Sequence, residues 1–332
     1  MKIRMHFSKG ESIYLLATFL LGAGIMLFIL HQKSLETTAH HWPFESIDTM
    51  KYSRDVARQG LNDPKYPSEI NKQMTAIADT GATYVAIGTP YDEEFLPVLK
   101  MWVRSARLHG LHVWFRGNFS GWEGWFNYPS IDEQTHIQKT KQFILDNKDL
   151  FEDGDVFSSC PECENGKKAN FSDPQQVAAY RNFLIAEYDT TKKTFASIGK
   201  HVQSNFFSMN LDVAKAVMDK QTTAALDGLV VIDHYVLTPE QLSDDISSIA
   251  TQSGGNVILG ETGAPIPDIH GDMTEEQQSK WLAQSLSMIS HIERLKGMNY
   301  WVDKGGSTAI WRDDGTPKPA VEVLKEYYKG LR

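Results

Sequence analysis

The chain has 332 residues, 41% of them hydrophobic and 23% charged, ordinary globular usage that sets disorder aside. Its formal net charge is -9, and no Lys/Arg run beyond the N-terminus offers a nucleic-acid footprint, so no nucleic-acid partner is expected. The length admits one large domain or two ordinary ones.

In chain order, the first feature is SIYLLATFLLGAGIMLFIL, residues 12–30, which carries no charge. At about 1.5 Å per residue it matches the ~30 Å hydrocarbon core of a bilayer. Lys2, Arg4 and Lys9 precede it. The positive-inside tendency then predicts a cytoplasmic N-terminus (1–11), a single-pass membrane anchor (12–30) and an extracytoplasmic remainder. A cleaved signal peptide and secretion form the rival reading. Residues 31–43 read as a polar linker ahead of one domain over 44–332.

From there, short apolar runs alternate with helical patterns. The strand-like runs are 44–50, 83–89, 112–118, 155–160, 201–207, 228–235, 256–262 and 297–302. Continuous apolar stretches such as LVVI and VIL suit strands covered on both faces. Helical patterns lie between them. Residues 97–110 place Leu99, Trp102, Val103 and Ala106 on one face and stop at Gly110. Residues 172–188 offer Asp173 as N-cap and Pro174 at the first helical position. Residues 274–289 open with Thr274 and Gln277 in capping-box spacing, and 318–328 close the chain. Eight strands alternating with helices predict a (β/α)8 TIM barrel of the α/β class, preceded by the one transmembrane helix. A doubly wound open sheet is the runner-up, but the Gly-rich nucleotide loop usual there does not occur in the sequence.

In such a barrel the active site lies at the C-terminal ends of the strands. The third run ends at Arg116 and Asn118, the fourth is followed by Glu162, Glu164 and Asn165, the sixth ends at His234 and Tyr235, the seventh carries Glu261, and the eighth contains Trp301. Carboxyl groups facing each other across a cleft suit glycoside hydrolysis: one protonates the leaving oxygen and the other attacks, or activates water. The loop 119–128 adds Trp122 and Trp125, whose flat rings suit the apolar faces of sugars or the packing of a long loop.

GETG at 260–263, PEC at 161–163, Trp301 and the exit DGTPKPAVEVLKE at 314–326 together resemble the glycoside hydrolases of the large (β/α)8 clan called the four/seven superfamily, over residues 44–330. The resemblance implies Glu261 as nucleophile at the end of strand four's counterpart, strand seven, and Glu162 as acid/base after strand four. It implies retention of anomeric configuration, Trp301 as the floor of the sugar site, and no metal or organic cofactor. The clan's Asn before the acid/base is Pro161 here, and its following Pro is Cys163. The contact that this Asn makes to the sugar's 2-hydroxyl is then lost or supplied by another residue such as Asn165, and Glu164 stands as an alternative acid.

The chain's two cysteines, Cys160 and Cys163, frame Glu162. Two Cys supply half of a structural zinc site, and the context differs from a thioredoxin-type pair. The pair reads as framing the acid/base loop, either as a disulfide or as thiols. The expected activity is a membrane-anchored, extracytoplasmic retaining glycosidase acting on a poly- or oligosaccharide. Arg116, Asn118, Trp122, Trp125, Glu164, Asn165, His234, Tyr235 and Trp301 are the expected sugar-binding set. A non-catalytic carbohydrate-binding barrel, a transglycosylase and a thiol-redox protein are the alternatives.

Overall fold

The computed structural model describes residues 42–166 and 169–330. The expected anchor, 12–30, lies outside them. Among the described residues no helix is long and apolar enough to cross a membrane.

Eight strands and eight principal helices alternate along the chain. They are β1 (Phe44–Asp48), α1 (Tyr66–Asp79), β2 (Tyr84–Ile87), α2 (Leu96–Leu108), β3 (His112–Phe115), α3 (Glu133–Asp146), β4 (Val156–Phe157) and α4 (Pro174–Ser197). The second half follows as β5 (Ser208–Asn210), α5 (Leu211–Val217), β6 (Leu229–Asp233), α6 (Pro239–Ser253), β7 (Asn256–Thr262), α7 (Glu275–Ile289), β8 (Leu295–Tyr300) and α8 (Pro319–Tyr328). Short helical turns fill several of the connecting loops. The strands form one parallel sheet in the order β4-β3-β2-β1-β8-β7-β6-β5. Its edge strand β4 is bonded to the run that leads into the other edge, β5: Gln203 donates its amide to the Asp155 carbonyl at 3.0 Å and accepts that of Phe157 at 2.8 Å. The curled sheet is thereby consistent with a TIM barrel.

The helix signals read from the sequence are made as hydrogen bonds. The Asp173 carboxylate accepts from the Gln175 amide, and Thr274 with Gln277 completes a reciprocal capping box. Two elements differ from expectation. The fifth strand is not 201–207 but Ser208–Asn210, because pairing with β6 begins at Ser208↔Val231; the earlier run touches β4 only through the Val156↔Gln203 bridge. Helix α4 runs nine residues past 188 to Ser197, since its polar tail still buries Thr191, Thr194 and Phe195 and meets no breaker before Gly199.

The apolar strands look uniform in sequence, but the apolar residues of β2, β3, β6 and β7 divide by parity. Val85, Ile87, Val113, Phe115, Val230, Ile232, Val257 and Leu259 join the large layer between sheet and helices. Phe44, Ala86, Trp114, Val156, Phe206, Val231 and Ile258 form a second cluster inside the ring, the filled interior that such a barrel requires. Further along β1, β3, β5 and β6, the same inward face turns polar. Asp48 follows Phe44 and Ser46, Arg116 follows Trp114, Ser208 follows Phe206, and Asp233 follows Val231.

Gly297 of β8 faces Phe44 of β1, and a Cβ there would collide with the Phe44 carbonyl. Gly297→Ala is expected to cost about 1–3 kcal/mol through overpacking, measured by urea denaturation. An unchanged midpoint would mean that β1 and β8 separate easily at this point.

Candidate active site

The site is built where the inward face turns polar. Arg116, 1% exposed, stands above the Trp114 ring, 5.3 Å from its centroid. Its guanidinium Nη1 lies 2.6 Å from Glu261 Oε1 and 3.4 Å from Asp48 Oδ2. Its Nη2 lies 3.0 Å from Asp233 Oδ2 and 3.3 Å from the Ser208 hydroxyl. One side chain thus ties β3 to β1, β5, β6 and β7. Asn299 of β8 adds a further tie, donating Nδ2 to Asp48 Oδ2 at 3.1 Å and to the Gly260 carbonyl at 2.9 Å.

Glu261 reaches this face against the parity of its own strand. Val257 and Leu259 point outward, so a regular strand would send residue 261 outward too. The register instead slips: Ile232 pairs with Leu259, but Asp233 pairs with Glu261. This bulge at Gly260 re-aims Glu261 into the ring. Gly260 suits the position because a Cβ there would collide with Asp233 Oδ1 and crowd Val231 and Ser208. Tyr235 then donates its hydroxyl to Glu261 Oε2 at 2.6 Å. The nucleophile candidate thus has a donor on each oxygen.

Glu162 takes its place through an unusual backbone. Its φ and ψ are 45° and 48°, the left-handed region that costs a non-glycine residue on the order of 1–2 kcal/mol. Such a conformation persists where its surroundings over-determine it. Here the Glu162 amide donates to the Ser208 carbonyl at 2.7 Å and the Glu162 carbonyl accepts from the Asn165 amide at 2.9 Å. Cys160 and Cys163, both buried, are joined as a disulfide around it. Carboxyl oxygens of Glu162, Asp233 and Glu261 lie within 4.8 Å of one another.

Burial, then the negative charge of Glu261, pushes the Glu162 carboxyl up to about 7, while Arg116 and Arg54 oppose the rise. Burial also raises Asp48 to about 6 and Glu123 to about 8. Glu162, Asp233 and Glu261 are the group among the described residues with metal-ligand spacing. The Arg116 guanidinium already bonds two of the three, so their counter-charge is supplied by the protein.

The structure gathers part of the expected sugar-binding set around this pair. Tyr235 and Trp301 meet edge to face at 6.0 Å, and the Trp301 indole N–H has no partner. Asn165 approaches Glu162 Oε2 at 3.4 Å. Arg54, whose charge reaches Glu162, lies over the half-buried Trp125 at 4.8 Å.

The other expected residues are committed elsewhere. Asn118 is buried, bonded to Glu123 at 2.6 Å and to His136 at 2.8 Å. Trp122 stacks on Phe183 at 5.2 Å and donates to the Cys163 carbonyl at 3.1 Å, so it props the Glu162 loop. Glu164 accepts from the Asn210 amide at 2.9 Å and faces the Tyr180 hydroxyl at 3.4 Å. That leaves Glu162, and not Glu164, beside Glu261. The His234 ring meets Asp245 of α6 at 2.9 Å. Asp48, Asp233, Ser208 and Asn299 were not among the expected residues, although the inward parity of β1 and β6 marks both aspartates.

No protein-family model matches the chain, and no curated protein matches it. Solved structures do. A GH5_18 protein from Bifidobacterium longum subsp. longum, in complex with Manb1-4GlcNAc, superposes with TM-score 0.61 at 15% identity, over 87% of this chain and 78% of that one. A GH5_18 protein from Streptomyces cattleya, in complex with GlcNAc, gives TM-score 0.65 at 12% identity, over 88% and 80%. A β-D-glucuronidase from Dictyoglomus thermophilum gives 0.56 at 15% identity, over 88% and 51%. At these identities the likeness is one of fold.

With the Glu162 turn held by backbone bonds as well as by the disulfide, Cys160→Ser with Cys163→Ser is expected to lower turnover less than Glu162→Ala does. Matched steady-state assays on one aryl glycoside check this. An equal loss with the fold intact would make the disulfide itself indispensable.

Proposed function

We propose that the chain is a retaining glycoside hydrolase of the four/seven type, acting on an oligo- or polysaccharide. The observation that carries this reading is the approach of the Glu162 and Glu261 carboxyl oxygens to within 4.8 Å. The two carboxyls are thus close enough to flank one glycosidic bond, in keeping with the ~5–5.5 Å carboxyl separation of retaining enzymes. The fold shared with GH5_18 proteins and a β-glucuronidase supports it.

In this reading Glu261, held by Arg116 and Tyr235, attacks the anomeric carbon as a carboxylate while Glu162 gives its proton to the departing glycosidic oxygen. The resulting glycosyl-enzyme neutralises Glu261. The charge that raised Glu162 then disappears, its proton affinity falls, and Glu162 acts as base on the incoming water. No step calls for a metal or organic cofactor. Tyr235 and Trp301 line the sugar at the cleavage point, with Asn165 beside the acid and Trp125 further along the cleft.

Turnover is expected to fall as pH rises through about 7, where Glu162 loses its proton. Glu261→Gln should abolish turnover on an aryl glycoside and lower the Glu162 pKa, read by carboxyl NMR, because the neighbouring negative charge is gone. Glu162→Ala should cripple substrates with poor leaving groups, spare glycosylation by good ones, and yield a glycosyl azide of retained configuration when azide is added. Wild-type behaviour of either variant would remove that residue from the mechanism.

We further infer that residues 12–30 hold the barrel at the outer face of a membrane, a reading supported by the disulfide, since such bonds persist in oxidising compartments. Cell fractionation checks it: full-length protein in the membrane pellet agrees, whereas soluble protein cleaved near 31–42 favours a secreted product.

A further inference from the structure

Arg116 supplies one positive charge to a cluster of four carboxyl groups, Asp48, Glu162, Asp233 and Glu261. If Glu261 is the ionised nucleophile and Glu162 the proton donor, the two aspartates must divide what support is left. Their surroundings are unequal. Asp48 has donors on both oxygens: the Met50 amide at 2.6 Å on Oδ1, with Asn299 at 3.1 Å and Arg116 at 3.4 Å on Oδ2. Asp233 has Arg116 at 3.0 Å on Oδ2, and its buried Oδ1 has no partner. That oxygen is packed against the backbone of Gly260. A carboxylate with one bare oxygen, 3% exposed and close to two other carboxyls, is the member of the cluster least able to carry charge.

We propose that Asp233 is a positioning residue that works in its neutral, protonated form: it holds Arg116 under Glu261 without drawing on the guanidinium's charge. A neutral Asp233 accepts the Nη2 hydrogen bond and so fixes the rotation of the guanidinium, leaving the attraction of Nη1 to Glu261. An ionised Asp233 would compete for that charge and would repel both Glu261 and Glu162. The groups facing it are Asp48 from β1, Arg116 after β3, Glu162 after β4, the Ser208 hydroxyl from β5, Tyr235 after β6 and Glu261 from β7. Burial, with the charges of Glu261 and Glu162, holds the Asp233 carboxyl well above the usual carboxylate range, and Arg116 alone among the charged groups opposes this. The role rests on the retaining-hydrolase reading, but the protonation state does not.

Three measurements on the full chain test it. At pH 7 the infrared difference spectrum of wild type minus Asp233→Asn should carry the carbonyl stretch of a protonated carboxylic acid. Carboxylate stretches in its place would overturn the proposal, whether or not any glycoside is turned over. Asp233→Asn, which keeps shape and neutrality, should leave the Glu162 titration by carboxyl NMR where it is in wild type. A fall of about one unit would show that a negative charge had been removed and would also overturn it. On an aryl glycoside Asp233→Asn should keep kcat within about threefold, whereas Asp233→Ala should lose on the order of 10²-fold through displacement of Arg116 and Glu261. Equal losses in the two variants would refute the positioning role. Correct spectra with no turnover on any glycoside would leave the protonation intact and remove the hydrolase reading.

Discussion

The Arg116 guanidinium is enclosed by the ends of β1, β5, β6 and β7 and rests on the indole of Trp114 below. Breaking a buried ion pair of this kind by removing one partner costs about 3–5 kcal/mol, because the other partner is left charged and desolvated. Here the loss would spread over three carboxyl groups at once. The same residue caps the apolar interior of the barrel and orients the nucleophile candidate. Stability and chemistry therefore share one side chain. Burial, with the negative charge of Glu261 beside it, holds the Glu162 carboxyl up at about 7.

Much of this architecture is legible in the sequence. Each expected strand run has its counterpart except 201–207, where a bridge to β4 substitutes for a strand and the ladder forms later. The caps at Asp173 and Thr274 are local hydrogen bonds, so local sequence suffices to find them. Glu162 and Glu261 are legible because they follow runs four and seven, and the ring brings those ends together. The substrate-binding set is less so. Asn118, Trp122 and His234 sit at the right place along the chain, but which way a loop side chain turns depends on partners far away in sequence: His136, Phe183 and Asp245. Asp48 and Asp233 were missed for a different reason. A residue that ends an apolar run looks like a boundary, and only the inward parity fixed by Phe44 and Val231 identifies it as lining the ring.

The loop that carries Glu162 shows how the two cysteines and Trp122 cooperate. Trp122 is bonded to the carbonyl of Cys163 and packed on α4, while Ser208 fixes the amide of Glu162. The left-handed turn is thus restrained from the core side, from β5 and by its own disulfide. Under the proposed double displacement one residue would serve both halves of the reaction, and a restrained turn would give it one position for both. Pro161 and Cys163, the departures from the clan's motif, belong to this scaffold.

The slip in β7 sets a condition of another kind. A regular strand offers its barrel every second residue, so the spacing of inward groups is normally fixed by counting. Gly260 breaks the count once, and everything beyond it is phased to the break. Removing or adding a single residue anywhere between Val257 and Glu261 would exchange inside for outside at the mouth of the ring, carrying the carboxylate toward the helices without altering its chemical identity. The length of this strand is therefore as much a part of the candidate site as the glutamate it carries.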